Sequence, residues 1–180
     1  MTPVRTRLRT LTTTEAAVLA LLAIEGERSG YDLNKLVSRS IGHVWAPAKS
    51  RLYAVLPRLA ADGLAKSRSI RQSDRPDKHV YRITAAGRAA VEAWLCTVEP
   101  GAEETVYLKV FLGGLTTHDV LRAHLEQFRA DQRERLAELE QIDRINTNRG
   151  HDRYHRYLLE LGLRRARQSI RWAEEVLREL

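Results

Sequence analysis

Between Gly63 and Thr84 the chain changes the period of its apolar residues twice, and few folds accommodate that. Before Gly63, the stretch Ala46–Leu64 repeats Leu52, Leu56 and Leu59 at helical spacing, the stripe that an amphipathic helix buries. After it, His79-Val80-Tyr81-Arg82-Ile83-Thr84 alternates, with β-branched and aromatic residues, as a half-buried strand does. Leu64, Ser67 and Ile70 give a weaker strand signal, and the polar stretch Gln72–Lys78, with one proline, separates the two arms. The pattern predicts a β-hairpin. Thr84 then stands where an N-cap belongs, ahead of the helical run TAAGRAAVEAWLCTV.

Two more helices precede this group. TTTEAAVLALLAIEGE offers a threonine cap near Thr13 or Thr14, an acid in the first turn and good helix formers. Val18, Leu19, Leu21, Leu22 and Ile24 make that helix apolar on most sides, so it is expected to be buried until Gly26 ends it. SGYDLNKLVSRSI places Ser29 as N-cap with Asp32 three residues on, close to a capping box. Leu33, Leu36, Val37 and Ile41 form its inward stripe, and Gly42 stops it. Trp45 and Pro47 make a stiff connector with Trp45 buried. In the third helix Lys49, Ser50, Tyr53, Ala54 and Arg58 lie off the apolar stripe, with no acid until Asp62. Pro57 removes an N–H and should bend that helix or shorten its regular part.

Beyond Pro100-Gly101 the chain reads as helical throughout. Glu103–Leu112 is short and stopped by Gly113-Gly114. A long helix starts at Thr117 and keeps its pattern through Leu121, Leu125, Phe128, Leu136, Leu139 and Ile142. After a turn over Asn146–Gly150, His151–Leu180 repeats Leu163, Ala166, Ile170, Ala173, Leu177 and Leu180 at spacings close to those of a coiled coil. Two helices of about 30 residues span roughly 45 Å each. So long a hairpin has more apolar seam than one small chain covers, which points to pairing with a second copy. The expected fold is mainly α: a winged helix-turn-helix domain with a two-stranded β-wing, then a C-terminal antiparallel helical dimerisation domain. The boundaries are a flexible basic arm over 1–11, a first domain over 12–97 and a second over 98–180.

Charge divides at the same place. Residues 1–97 carry 16 Lys and Arg against 8 Asp and Glu, and residues 98–180 carry 14 against 15. A basic module joined to a neutral one suggests a polyanionic partner for the first half alone. Cys96 is the only cysteine, so no disulfide forms within one chain, which fits a reducing cytoplasm. The N-terminus MTPVRTRLRT lacks the apolar segment of a signal peptide, and no run of about 18 apolar residues predicts a membrane span.

No glycine-rich phosphate loop, nucleophile elbow or paired-carboxylate motif occurs, so no enzyme and no cofactor are expected. His151 and His155, with Asp152 beside them, lack a third ligand at metal-site spacing. A lone Cys96 in an apolar helix is expected to be buried rather than redox-active. Trp94 and Trp172 are candidates for lining an effector cavity, although packing in a core or dimer seam is the commoner role of such rings.

Three helices followed by a cationic hairpin is the order in which a third helix enters the major groove and a wing crosses the phosphates. Arg68, Arg71, Arg75, Lys78 and Arg82 stand in the hairpin against only Asp74 and Asp77. Double-stranded DNA is therefore the expected partner. A protein-interaction adaptor on the same scaffold is the alternative, but it has no need of the charge split.

The chain also resembles the PadR family of bacterial transcriptional regulators. The matching residues are Ser29-Gly30-Tyr31-Asp32-Leu33, Trp45-Ala46-Pro47, Leu52-Tyr53-Ala54-Val55-Leu56, Arg58-Leu59, Asp62-Gly63-Leu64 and Tyr81-Arg82-Ile83-Thr84-Ala85-Ala86-Gly87, within roughly 13–95. The resemblance implies a homodimeric regulator, expected to be a repressor, on palindromic promoter DNA, released by a small-molecule effector. It assigns Lys49, Ser50, Arg51 and Tyr53 to the recognition helix, Ser29 and Tyr31 to a phosphate at a helix N-terminus, and Arg75 and Lys78 to the wing. Many relatives carry proline directly after the tyrosine of the third helix, where this chain has Ala54.

Overall fold

The computed structural model describes residues 10–71, 73, 77–99, 102–147 and 153–180. Most of the expected arm lies outside them, as do Arg75, Pro100, Gly101, His151 and Asp152. The chain divides into two compact units, Met1–Thr97 with Tyr107–Thr116, and Val98–Val106 with Thr117–Leu180. Among the described residues no helix is long and apolar enough to cross a membrane.

The first unit opens with helix α1 (Thr13–Glu25), begun by a reciprocal capping box. Thr12 Oγ1 accepts from the Glu15 amide, and the Glu15 carboxylate accepts from the Thr12 amide at 2.9 Å. Every residue from Thr14 to Leu22 is buried, as a helix apolar on most sides requires, whereas Ile24 is half exposed. Helix α2 (Gly30–Arg39) starts at a second capping box between Ser29 and Asp32. It ends before Gly42, because the chain turns back and the Gly42 amide bonds the Val37 carbonyl at 2.8 Å. Helix α3 (Lys49–Ala61) buries Leu52, Val55, Leu56 and Leu59 on one side. Pro57 does not stop it: the helix runs on to Ala61, with Tyr53 and Pro57 both on the exposed side, where solvent can replace the missing donor. Trp45 is buried ahead of it, as expected.

The hairpin is present as β2 (Ala65–Ile70) and β3 (Lys78–Ile83), paired antiparallel from Ala65 opposite Ile83 to Ile70 opposite Lys78. The sheet has three strands, not two. A two-residue strand, β1 (Arg28–Ser29), lies antiparallel to β3 and puts β3 in the centre. Two residues carry no detectable period, so only the folded position of β3 reveals them.

Helix α4 (Ala85–Cys96) is capped by Thr84, whose hydroxyl accepts from the Gly87 amide at 3.1 Å and lies 2.8 Å from the Gly63 carbonyl. A Cβ on Gly87 would stand 2.1 Å from the Leu64 carbonyl oxygen, so only glycine lets α4 start this close to the head of β2. Cys96 is exposed, against expectation, because it falls at the last turn of α4 where the helix leaves the core. The division between the units falls within helix α5 (Glu103–Phe111), and Leu108 and Leu112 complete the first unit's core with Leu19, Leu22, Leu33, Leu56 and Leu95.

The second unit is built on helices α6 (His118–Thr147) and α7 (Arg153–Glu179). Phe128 and Trp172 meet edge to face, with ring centres 5.9 Å apart. Arg133 pairs with Glu174 at 2.7 Å and Arg167 with Glu140 at 3.0 Å. Leu163, Ala166, Ala173 and Leu177 are buried within the single chain, so much of the expected seam is already filled. The apolar surface left over stands nearer the turn, at Ile142, Ile145, Tyr157, Leu158 and Leu161, all more than 40% exposed.

Candidate nucleic-acid interface

Helix α3 carries two different sides because its sequence does. With the four apolar residues facing inward, Lys49, Ser50, Arg51, Tyr53, Ala54, Pro57 and Arg58 are all exposed. Ser50, Ala54, Pro57 and Ala61 follow one another along the middle of the outward side, with Lys49 and Tyr53 on one flank and Arg51 and Arg58 on the other. The first turn has no side-chain cap, since Ala48 offers no acceptor.

The cations on this helix differ in their commitments. Arg58 is tied to α1 by a bond of 3.3 Å to the carboxylate of Glu15, which is buried and also serves the α1 cap. Lys49 and Arg51 make no ion pair among the described residues. Tyr53 lies against the first residue of α2. A Cβ on Gly30 would come within 2.7 Å of its ring, so the glycine lets the phenol rest across the start of α2.

Three elements meet at a groove of about 800 Å³ there. Tyr31 and Asp32 come from α2, Tyr53 and Pro57 from α3, and Lys78 and His79 from β3. Tyr31 is 64% exposed at its edge and Tyr53 46% exposed. Ser29 is buried instead. Its hydroxyl donates to Asp32 Oδ2 at 2.7 Å and accepts from the Asp32 amide at 3.3 Å, so it is spent on the helix cap. Asp32 also takes the Lys78 ammonium at 2.9 Å. The Ser29 hydroxyl above all, helped by Lys78, holds the Asp32 carboxyl down at about 2, against the opposing effect of burial.

The structure therefore brings Tyr31, Tyr53 and Lys78 to one groove, with Lys49, Ser50 and Arg51 exposed on the same helix as Tyr53. Ser29 also lines that groove, but it is buried and its hydroxyl is engaged by Asp32. Arg75 lies outside the described residues. Trp94 and Trp172 belong to different units, and each has a neighbour of its own. The Lys109 ammonium sits 4.8 Å above the Trp94 ring and donates to the Thr97 carbonyl at 2.6 Å, while Trp172 packs on Phe128. Among the described residues no group of three metal-ligating side chains occurs.

One side of the hairpin adds Lys66 and Glu27, which the sequence did not single out, to Arg68 and Arg82, which it did. Lys66 stands opposite Arg82, and Arg68 opposite Val80, so these side chains share a face. Glu27, just ahead of β1, reaches that face and is gripped by Arg68, whose Nε lies 3.0 and 3.1 Å from its two carboxylate oxygens. Arg68, and with it Arg82, hold the Glu27 carboxyl below the usual range. No local sequence signal marks this pair: Glu27 and Arg68 are 41 residues apart and meet only when β1 docks on β3.

Known proteins supply the remaining comparison. Residues 18–93 match the model of the transcriptional regulator PadR-like family, and residues 104–180 match that of the virulence activator alpha C-terminal region. A probable transcriptional regulator of Mycobacterium tuberculosis, Rv1176c, is 30% identical, over 91% of this chain and 95% of its own length. Among solved structures, Bacillus subtilis PadR in complex with operator DNA is 22% identical, covering 93% of this chain and 99% of that one, with a TM-score of 0.47. The Vibrio cholerae virulence activator AphA is 25% identical, covering 92% and 96%, with a TM-score of 0.40. By its family match and its full-length mycobacterial relative, this chain belongs to the PadR-like family of transcriptional regulators.

Proposed function

We propose that this regulator is a homodimeric repressor that binds palindromic promoter DNA in the cytoplasm. Residues 12–97 supply the DNA contacts and residues 98–180 the pairing. In this reading α3 enters the major groove with Lys49, Ser50 and Arg51 toward the bases. Tyr53 and Tyr31 take backbone phosphates beside the start of α2, and Lys78 lies at the wing. The observation that carries the reading is the exposure of Lys49 and Arg51, without acid partners among the described residues, next to a groove holding Tyr31, Tyr53 and Lys78. A carboxylate-free pair of cations on a helix whose other side is core is suited to a polyanion. Pairing is supported by the apolar surface at Ile142, Leu158 and Leu161, which the chain leaves uncovered. Release by a small molecule follows from the family resemblance alone.

The test is a gel shift with the chain's own upstream region against a scrambled duplex of equal length. The expected result is preferential binding that weakens steeply with salt, at two half-sites about 34 Å apart. Transcription from that promoter in vitro should fall when the protein is added. Equal affinity for the scrambled duplex would overturn sequence-specific regulation, and increased transcription would overturn repression.

A further inference from the structure

Arg68 has the chemistry of a wing phosphate contact: an exposed guanidinium on a cationic hairpin face shared with Lys66 and Arg82. Its geometry says otherwise. Both the Nε and Nη2 groups of Arg68 are turned onto the Glu27 carboxylate, in the forked arrangement that matches guanidinium to carboxylate. Among the described residues, that carboxylate takes hydrogen bonds from Arg68 only. Drawing Arg68 away to a phosphate would leave Glu27 unpaired beside the same polyanion.

Lys78 differs on each point. It makes a single ion pair among the described residues, and its partner Asp32 keeps the Ser29 hydroxyl and amide when Lys78 leaves. Lys78 can exchange a carboxylate for a phosphate, but Arg68 cannot without orphaning Glu27.

The pair also joins elements that little else joins. Glu27 belongs to the short connection between α1 and β1, Arg68 to the middle of β2, and the two are 41 residues apart in sequence. β1 itself bonds only β3, so β2 reaches the α1–α2 side through β3, through its packing beside α3 and, directly, through this pair. We propose that Arg68 and Glu27 are positioning residues, a clamp that sets the wing relative to α1 and α2 and stays closed when DNA binds. Lys66, Arg71, Lys78 and Arg82 are left as the wing's mobile phosphate contacts. The proposal rests on the reading of this unit as a DNA-binding module.

The experiment compares the full chain with E27Q, R68Q and the charge swap E27R/R68E, by fluorescence anisotropy on the upstream duplex and its scrambled control over a salt series. Circular dichroism confirms that each variant folds. The wild-type chain tests the underlying reading by itself: no preference for the upstream duplex defeats that reading, whatever the variants do. Given that preference, E27Q and R68Q should each weaken specific binding about fivefold, a typical coupling between contacting side chains. The dependence of affinity on salt should stay unchanged, and the swap should restore binding to within about twofold. Loss of an acid would thus weaken binding to DNA, opposite to what charge alone dictates. Three results would each overturn the clamp. The salt slope could fall by about one in R68Q, the mark of a lost phosphate contact. E27Q could tighten binding, the mark of a merely repelling acid. Or the swap could fail to restore what R68Q lost.

Discussion

The two units solve opposite problems with the same helix-forming residues. The first packs short elements and holds them by specific devices: two reciprocal capping boxes, a glycine against a carbonyl, and ion pairs from Arg58, Arg68 and Lys78 to acids of the α1–α2 segment. Its charge excess is turned outward. The second is two long amphipathic helices, laced by Arg–Glu pairs, with near-zero net charge and a bare apolar strip close to its turn. A surface meant for DNA needs fixed side chains and positive charge. In the proposed reading, the surface for a second copy needs apolar area, where charge would repel.

The comparison breaks hardest at Gly87. Gly87→Val should destabilise the first unit by about 3 kcal/mol or more, since the new side chain meets the Leu64 backbone rather than a yielding side chain. Denaturant unfolding would measure it, and the helical signal of α6 and α7 should persist beyond the first transition. A change below 1 kcal/mol would mean that α4 can shift away from β2.

Next comes the division of labour itself. Lys49→Ala with Arg51→Ala should cut specific DNA affinity about a hundredfold, from two lost base or phosphate contacts, and leave the oligomeric state unchanged. Wild-type-like binding by this variant would remove α3 from the interface. Conversely, Leu158→Glu with Leu161→Glu should raise the dimer dissociation constant about tenfold or more, measured by sedimentation, because it puts charge on the strip. These side chains are exposed in the single chain, so its fold should survive. An unchanged dimer would place the pairing surface elsewhere.

Smaller effects distinguish cap from contact. Ser29→Ala should cost about 1 kcal/mol of stability through loss of the α2 cap. Its specific DNA affinity should change less than that of Tyr31→Phe, because the Ser29 hydroxyl already serves Asp32. The smallest effect is the response to acid. Asp32 has its folded-state value lowered to about 2 from an ordinary 3.8, so its contribution is complete above about pH 4 and is lost as the pH falls toward 2. Asp32→Asn should flatten the loss of stability in that window, and an equally steep loss in the variant would assign it to other carboxylates.

Much of this was legible in the residues. Ser29 and Asp32 announced their capping box, Thr84 its helix, and the alternation of His79–Ile83 its strand, because each signal is local and has a fixed period or offset. The candidate site was legible only as a set of residue types. Lys49, Arg51 and Tyr53 lie on the exposed side of α3, since helical periodicity alone decides that. For Ser29, expected at a phosphate, the sequence cannot tell that its hydroxyl is engaged by Asp32 of its own helix, which only the structure reveals. β1 was too short to carry a pattern, and Cys96 sat in an apolar run whose end in the core only packing defines.

The sequence by itself therefore determined the order of elements, their caps, the split of charge and the side of each helix that is buried. These depend on neighbours a few residues apart. Only the tertiary structure decided which cations are committed and which are available. Arg58 and Glu15 are 43 residues apart and Arg68 and Glu27 are 41 apart, and no local rule pairs them. Before folding, the arginines of α3 and the hairpin are equivalent charges. Once the fold brings Glu15 beside Arg58 and Glu27 beside Arg68, those two become fastenings of the scaffold, and Arg51, Arg71 and Arg82 are left facing outward for the regulator's partner.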